Sequence, residues 1–171
     1  MLRTFAASLL SLALATGLAL AQEKSAEVLG NKGEKIGTID VKQGPHGVVL
    51  RIELGAGALS PGWHGVHVHE VGDCSDHDKF MHSKGHVNPG DVEHGFLNPK
   101  GPHPSDLPNI FAHSDGSSQA EILVYGVALS GGKVNLLDED GSAVVFHESP
   151  DDHMSQPIGG AGDRVGCAVL K

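Results

Sequence analysis

Apolar and polar residues alternate along several short segments of this chain. In the clearest segment, every second residue from Val48 to Leu54 is apolar, whereas Arg51 and Glu53 occupy positions between them. A period of two is typical of a strand with one buried face. Similar patterns predict further strands at 26–29, 35–41, 64–70, 121–129, 133–137, 142–148 and 164–170. Since no segment repeats apolar residues at the helical period, the sequence predicts an all-β protein, an antiparallel sandwich or barrel of about eight strands.

Two segments interrupt this succession of strands. One extends from about residue 72 to residue 120 and the other from 149 to 163, and both are rich in aspartate, glycine, histidine and proline. Long loops are uncommon in compact domains and usually carry function where they occur. We therefore expect the functional residues to lie mainly in these two loops.

The first 21 residues have the three parts of a secretory signal peptide. Arg3 precedes an apolar run that starts at Phe5, and the run ends in Ala19-Leu20-Ala21, a small-x-small sequence typical of a cleavage site. A single membrane anchor is the alternative, but its length is borderline and the small-residue ending argues against it. We predict that residues 1–21 are a signal peptide and that 22–171 form one exported domain, periplasmic in a Gram-negative bacterium and otherwise secreted.

The exported segment would contain both cysteines of the chain, Cys74 and Cys167. In an oxidising compartment a single pair most simply forms a disulfide bond, and two buried free thiols are the alternative. The bond would close a loop of roughly 90 residues, which in the chain-entropy account of disulfides contributes roughly 4–5 kcal/mol.

Charge and composition narrow the classes of function. The chain has 12 Lys and Arg against 21 Asp and Glu, a formal net charge of −9, and loss of the signal peptide with its one arginine makes the charge −10. Because a phosphate backbone is bound by a basic surface, this balance argues against a nucleic-acid-binding protein. The 12 histidines outnumber the aromatic residues, which are five Phe, one Trp and one Tyr. Such an excess indicates metal or proton chemistry.

The spacing of the histidines separates candidate ligands from the others. Two residues apart on a strand, His67 and His69 point to the same side and can bind one ion, whereas His64 has the opposite parity and is a weaker candidate. The first long loop then supplies three imidazoles and a carboxylate, a complete tetrahedral set for zinc, with solvated loop histidines as the alternative. These four residues are His86, His94, His103 and Asp106. His147 ends an apolar strand, where a histidine is more often structural than a ligand.

Five short sequences occur in the chain in a distinctive order. They are HGVHVHE from His64, GHVNP from Gly85, HPSDLPNI from His103, FHESPDD from Phe146 and GDRVGC from Gly162. In order and spacing they resemble the sequences of copper/zinc superoxide dismutases, in particular the exported bacterial enzymes. The resemblance covers most of residues 60–171 and is weaker in the earlier strands. It implies an eight-stranded antiparallel Greek-key β-barrel or sandwich with two long functional loops.

The resemblance also implies a site for one copper and one zinc ion per subunit. One histidine would belong to both ligand sets, because a single imidazole bridges the two metals in this family. The implied copper ligands are His67, His69, His86 and His147, and the implied zinc ligands are His86, His94, His103 and Asp106. Imidazole nitrogens suit Cu(II), and zinc accepts three nitrogens and one oxygen.

Four more residues acquire roles from the resemblance. Asp151 corresponds to a carboxylate that links a copper-ligand histidine to a zinc-ligand histidine, with a solvated loop acid as the alternative. Arg164 corresponds to the catalytic arginine that flanks the copper channel and attracts a small anion. Cys74 and Cys167 correspond to the family disulfide. Six other histidines have no assigned role, namely His46, His64, His77, His82, His113 and His153.

The implied reaction is the disproportionation of superoxide to dioxygen and hydrogen peroxide, with copper alternating between Cu(II) and Cu(I) and His86 passing on a proton. Superoxide would be the partner, with no nucleic acid and no membrane after signal cleavage, and both a monomer and a homodimer stay open. One alternative is a superoxide-dismutase-like periplasmic copper-binding or carrier protein without catalysis, and another is a copper-only variant. A non-catalytic relative is expected to lack copper ligands or the arginine, and a copper-only variant the zinc ligands, whereas all are present here.

Overall fold

The computed structural model describes residues 22–171, so the predicted signal peptide lies outside the described residues. This part of the chain forms nine strands and one short 3₁₀ turn. They are β1 (Glu23–Gly30), β2 (Lys35–Gln43), β3 (Gly47–Leu54), β4 (Gly62–His64), β5 (Val66–His69), the turn Met81–Ser83, β6 (Ile110–Ala112), β7 (Ser118–Tyr125), β8 (Ser142–His147) and β9 (Arg164–Leu170). From residue 22 to 171, no helix is long and apolar enough to cross a membrane.

Seven strands form one antiparallel sheet in the order β5-β8-β9-β1-β2-β3-β7, and β4 pairs with β6 in a second, two-stranded sheet. The large sheet is curled. Its two edge strands contribute to the same hydrophobic core, β5 through Val66 and β7 through Ile122. β9 returns to pair with β1, which starts the meander β1-β2-β3, as in a Greek-key arrangement. The predicted all-β antiparallel class is therefore confirmed.

The structure divides the strands differently from the sequence pattern, with nine in place of the expected eight. The segment 64–70 is interrupted at Gly65, where loop 149–163 packs so closely that a Cβ would come 3.0 Å from the Cβ of Ala161. The segment 133–137 forms only a single bridge, between Ala128 and Asn135. β6 lies within a segment expected to be a loop, because three residues are too few to show a period.

Strands β5 and β8 are buried on both faces. One face packs into the barrel core through residues such as Val68 and Val144. The other face of β8 packs, through Ala143 and Val145, in a second small cluster with Phe80 and the two cysteines. Segment 72–84 therefore covers the outer face of the barrel at this point, which explains why β8 is a continuous apolar run in sequence.

A disulfide bond between Cys74 and Cys167 connects this covering segment to β9. Both cysteines are buried, and Phe80 is completely buried beside them. The bond and the aromatic side chain together hold residues 74–80 against the sheet. Because the first half of the long loop is attached in this way, the residues that follow it start from a defined position over β5 and β8.

Replacing Cys74 and Cys167 together by serine is expected to lower the free energy of unfolding of the metal-free protein by about 4 kcal/mol, because the unfolded chain regains the entropy of a long loop. Urea denaturation measures the change. The matched control is the unmodified protein unfolded in a reducing agent, which opens the bond without changing a side chain. A midpoint that is the same in all three samples would contradict this account of the disulfide.

Candidate metal centre

Strand β5 contributes two histidines to the face that the loops cover. Val66 and Val68 point into the barrel core, so the alternation of side chains directs His67 and His69 to the opposite face. Both histidines are nevertheless fully buried. The first long loop lies directly over them, since isolated backbone bridges join His67 to Asp106 and His69 to His86.

A β-bulge brings Arg164 to the same face as His147. Strands β8 and β9 pair in regular register as far as Phe146 and Gly166, and the register then shifts so that His147 lies opposite Arg164. Val165 is the additional residue on β9. Because a shift of one residue exchanges the two faces of a strand, the bulge is what directs the arginine side chain toward the loops.

Four buried histidines bring one ring nitrogen each to a common point. The ligand atoms that they offer lie within 4.8 Å of one another. Four of their ring nitrogens are buried and have no hydrogen-bond partner in residues 22–171, namely Nδ1 of His67 and Nε2 of His69, His86 and His147. Four converging imidazole nitrogens without other partners fit Cu(II), which accepts nitrogen ligands in tetragonal geometry. The structure therefore brings together all four residues predicted to bind copper.

In three of these histidines, the other ring nitrogen donates to an oxygen of the surrounding protein. The partners are Asp151 Oδ2 for His67 Nε2 at 2.8 Å, the Lys84 carbonyl for His69 Nδ1 at 2.8 Å, and the Gly162 carbonyl for His147 Nδ1 at 3.2 Å. An oxygen acceptor requires that the facing nitrogen carry the proton. These contacts consequently leave the lone pair on the nitrogen that points to the common point, which is how surrounding residues orient metal-binding imidazoles.

A second donor group adjoins the first. Its members are Nδ1 of His86, His94 and His103 and Oδ1 of Asp106, and four of the six separations among these atoms are 2.9, 3.0, 3.2 and 3.3 Å. A tetrahedral zinc ion with bonds near 2.0–2.1 Å would hold its ligands about 3.3 Å apart, so these separations are close to those of a zinc site. His86 contributes Nδ1 here and has Nε2 in the first group, so one ring lies between the two groups.

Grouping by distance alone also places His67 with His86, His94 and Asp106. His103 is the better fourth member, because its Nδ1 lies 3.0 Å from Nδ1 of His86. His67 has Nε2 bonded to Asp151 and Nδ1 in the first group. The structure thus brings together all four residues predicted to bind zinc.

Burial sets the protonation of the first group. It lowers the pKa of His86 to about 4 and that of His147 to about 3, and the charge of neighbouring His67 adds to the effect. Burial likewise holds the pKa of His69 well below the ordinary value. These imidazoles are neutral at neutral pH, which is the form that binds a metal ion.

The second group is more polar. Burial alone would raise the pKa of Asp106, but hydrogen bonds from His103, His86 and His94 and from the Gly95 N–H hold it far below its usual range. For His94, burial is outweighed by hydrogen bonds to Asp106 and Asp151, which raise its pKa to about 9. A carboxylate that is ionised over the whole working range of pH suits a divalent cation.

The Asp151 carboxylate connects the two groups. Oδ2 accepts from Nε2 of His67 at 2.8 Å, and Oδ1 accepts from Nε2 of His94 at 3.1 Å. Burial would raise the pKa of Asp151, but the hydrogen bonds from these two histidines hold it well below the ordinary value. The residue therefore lies where the sequence predicts a link between a copper ligand and a zinc ligand.

Two residues that position Asp151 were not identified from the sequence. Asn109 Nδ2 donates to the Asp151 carbonyl and its Oδ1 accepts from the Asp151 N–H, both at 2.8 Å. Gly159 has a φ of +62°, and a Cβ there would overlap Asp151 Oδ1. The only sequence signal for Asn109 is its place as the seventh residue of the HPSDLPNI sequence, and Gly159 is one of 24 glycines.

The weaker candidate, His64, belongs to neither group. Its Nδ1 lies 2.7 Å from the His147 carbonyl and its Nε2 lies 2.7 Å from the Ser60 carbonyl, so it supports the backbone of β8 instead. His153 packs on Phe96 near Asp151. The remaining unassigned histidines, His46, His77, His82 and His113, also lie outside both groups.

The guanidinium of Arg164 is held by the covering segment. It donates through Nη1 to the Phe80 carbonyl at 2.7 Å and to Ser83 Oγ at 3.0 Å, and through Nη2 to the Lys84 carbonyl at 2.8 Å. The Lys84 carbonyl oxygen also accepts the hydrogen bond from His69 Nδ1. The fixed positive charge therefore lies beside the first histidine group.

The curled antiparallel β-sheet thus carries two adjoining donor groups. One has four imidazoles, the other has three imidazoles and a carboxylate, and the two groups share one histidine. This combination defines a two-metal protein. A model of the family described as copper/zinc superoxide dismutase (SODC) matches residues 35–170. The chain belongs to this family, whose two metals are copper and zinc.

Individual relatives agree with this assignment. The chain is 48% identical over 150 residues to the Cu-Zn superoxide dismutase of Caulobacter vibrioides, covering 86% of this chain and 84% of the relative. Among solved structures, a superoxide-dismutase-like protein from Bacillus subtilis has a TM-score of 0.81 at 35% identity, covering 86% of this chain and 97% of that one. The Cu/Zn superoxide dismutase of Brucella abortus has a TM-score of 0.67 at 25% identity, covering 88% and 100%.

Asp151→Asn is expected to weaken zinc binding by about 10- to 100-fold, because an amide cannot accept from both His67 and His94. Competition with a zinc chelator measures the affinity of the folded protein. Asp140→Asn, which removes an exposed carboxylate elsewhere, is the matched control for the change in charge. Equal zinc affinities for the two variants would show that Asp151 does not orient the zinc ligands.

Proposed function

We propose that the mature protein is an exported superoxide dismutase that binds copper in the four-imidazole group and zinc in the adjoining group. The observation that carries the proposal is the set of four converging, unpartnered ring nitrogens beside a fixed arginine. The donor sets differ in the way the two metals require, with nitrogen alone on one side and one carboxylate on the other. Bound copper supplies one-electron chemistry by alternating between Cu(II) and Cu(I).

His86 is the residue placed to move a proton. Its Nδ1 faces His103 and Asp106 in the zinc group, at 3.0 and 3.2 Å, and its Nε2 is buried, unpartnered and directed to the copper group. Nε2 can hold a proton whenever that nitrogen is not a ligand. Reduction of superoxide to hydrogen peroxide consumes protons, so an imidazole nitrogen inside the site can deliver one where it is needed.

Arg164 is the residue placed to bind and orient the anion. Three hydrogen bonds to the covering segment hold its guanidinium beside the imidazole group, and burial lowers its pKa without removing its charge. The mature chain has a net charge of −10, which repels superoxide at long range. Attraction of the substrate therefore depends on local positive charge near Arg164.

A copper-binding or carrier protein without catalysis is the competing function, and one structural relative is described as superoxide-dismutase-like. A carrier needs donors for copper but has no use for a zinc group that shares a histidine with them or for a fixed guanidinium. Both features are present in this chain. They support the enzyme over the carrier.

The test is reconstitution of residues 22–171 with copper and zinc, followed by pulse-radiolysis measurement of superoxide loss. His147→Ala is expected to abolish copper-dependent activity, because it removes one of four copper donors, while zinc affinity stays within about threefold since His147 is not in the zinc group. His113→Ala, at an exposed histidine outside both groups, is the control and should keep full activity. Binding of both metals without catalysis above free copper would favour the carrier.

Export and removal of residues 1–21 are part of the proposal, with the periplasm as the destination in a Gram-negative source. The signal-peptide pattern supports export, and the Cys74–Cys167 disulfide suits an oxidising compartment.

We further propose that the protein forms a homodimer through an exposed apolar face. Trp63 and Phe111 are in contact at one end of this face, and Leu123 and Tyr125 on the edge strand β7 continue it toward Phe96. All five side chains are exposed, Tyr125 to 73%. A contiguous face of exposed aromatic and aliphatic side chains is typical of a protein–protein interaction site and suits the centre of an interface.

Leu123→Lys is expected to convert the dimer into a monomer, because each subunit would bury an unpaired ammonium group in the interface. Sedimentation equilibrium measures the molar mass. Met81→Lys makes the same exchange at an exposed apolar residue of the covering segment and should leave the dimer intact. A monomeric unmodified protein would refute the homodimer without affecting the proposed activity.

A further inference from the structure

The second long loop holds the zinc-group histidine His94 at two separate places. Asp151 accepts a hydrogen bond from Nε2 of the ring at 3.1 Å. The side-chain amide of Gln156 binds the backbone of the same residue. Its Oε1 accepts from the His94 N–H at 2.9 Å, and its Nε2 donates to the His94 carbonyl, also at 2.9 Å. Two residues of one loop therefore fix both the ring and the peptide of His94.

The contact with the peptide requires an amide. The His94 N–H can only donate and the His94 carbonyl can only accept, so a side chain that faces both must present an acceptor next to a donor. Glutamine does so within one planar group. A carboxylate would set a second oxygen against the carbonyl, and an apolar side chain would leave the N–H of a fully buried residue without this acceptor.

A tight turn brings Gln156 to this position. Asp152 Oδ1 accepts from the N–H of Met154 at 2.9 Å and from that of Ser155 at 2.7 Å, and the Ser155 carbonyl accepts from the Gly159 N–H at 2.7 Å. Gln156 Nε2 also donates to the Met154 carbonyl at 3.0 Å. Because both the backbone before Gln156 and its own amide are anchored, an exposed side chain is kept in one orientation.

The two loops pack backbone against backbone beside this contact. Gly95 has a φ of +111°, and a Cβ there would overlap the His153 carbonyl. That carbonyl accepts from the Leu97 N–H at 3.0 Å. On the other side of the ring, His94 Nδ1 lies 2.9 Å from Asp106 Oδ1. A rotation of the His94 peptide would consequently move its ring away from the other donors of the zinc group.

We propose that Gln156 is a positioning residue for zinc, because it fixes the backbone of His94 and so directs Nδ1 toward the zinc group while Nε2 stays on Asp151. The inference deepens the proposed function and rests on the zinc group within it. A single hydrogen bond at Nε2 leaves the ring free to swing about that contact. A second anchor at the peptide leaves one orientation, which is what a tetrahedral ligand set needs.

The test compares Gln156→Met, which keeps the length of the side chain without the amide, with Gln156→Glu, which replaces the donor by an acceptor. Both are expected to weaken zinc binding about tenfold in competition with a chelator, as is typical of residues that orient a metal ligand. Co(II) bound in place of zinc should show altered d–d absorption bands in both variants, since these bands report the directions of the ligands.

Ser155→Ala is the matched control in the same turn. It removes the bond from Ser155 Oγ to Asp152 Oδ2, which lies within the turn, and keeps the backbone bonds of Ser155. Zinc affinity and the Co(II) bands should stay as in the unmodified protein. A loss of affinity in this control as large as in Gln156→Met would overturn the specific role of Gln156, because it would show that any weakening of the turn has the same effect.

The metal-free proteins provide a readout that does not depend on a metal. Hydrogen exchange of the His94 amide should be about tenfold faster in Gln156→Met, because the N–H loses its acceptor, and unchanged in Ser155→Ala. Unchanged zinc affinity in Gln156→Met would overturn the positioning role even if this exchange is faster, since Gln156 would then support only the backbone. An unmodified protein that does not bind zinc would instead overturn the proposed function.

Discussion

The Asp151 carboxylate is the contact on which the rest of the centre depends. It reaches both donor groups, with one oxygen on His67 of β5 and the other on His94 of the first long loop. The carboxylate itself comes from the second long loop. Three separate parts of the chain therefore meet at one ionised, buried group. Movement of the second long loop would loosen both His67 and His94, and movement of the first would break the bond to His94. Asn109 hydrogen-bonds to the Asp151 backbone, and Gly159 leaves the space that the carboxylate occupies.

The arginine side of the centre is organised by a different set of constraints. The bulge at Val165 selects the face to which Arg164 points, and the Cys74–Cys167 bond sets the position of the segment that receives the guanidinium. The Lys84 carbonyl then joins this arrangement to His69. Together these constraints keep a flexible side chain in one position beside the copper group. A guanidinium held in this way loses little conformational entropy when an anion binds.

The sequence identifies the candidate metal ligands better than it identifies the residues that position them. Strand parity is sufficient to place His67 and His69 on one face, and a complete donor set within one loop indicates zinc. Asn109 was missed because its function depends on a backbone 42 residues away. The bulge was missed because the apolar pattern of β9 contains no sign of where its partner shifts register. The break between β4 and β5 at Gly65 was also missed, because it depends on the packing of loop 149–163, which is distant in sequence.

The four unpartnered imidazole nitrogens show how function and stability oppose each other here. A buried polar atom without a partner costs about 1–3 kcal/mol, and this site contains four within a few ångströms. The histidines also cannot relieve the cost by taking up protons at neutral pH, because burial and mutual repulsion keep pKa values such as those of His86 and His147 near 4 and 3. The barrel and the disulfide must therefore stabilise a fold whose centre is unfavourable on its own. Metal binding removes that cost and gains the coordination energy in the same step, so the arrangement that destabilises the protein is also the one that gives the metals a preformed site.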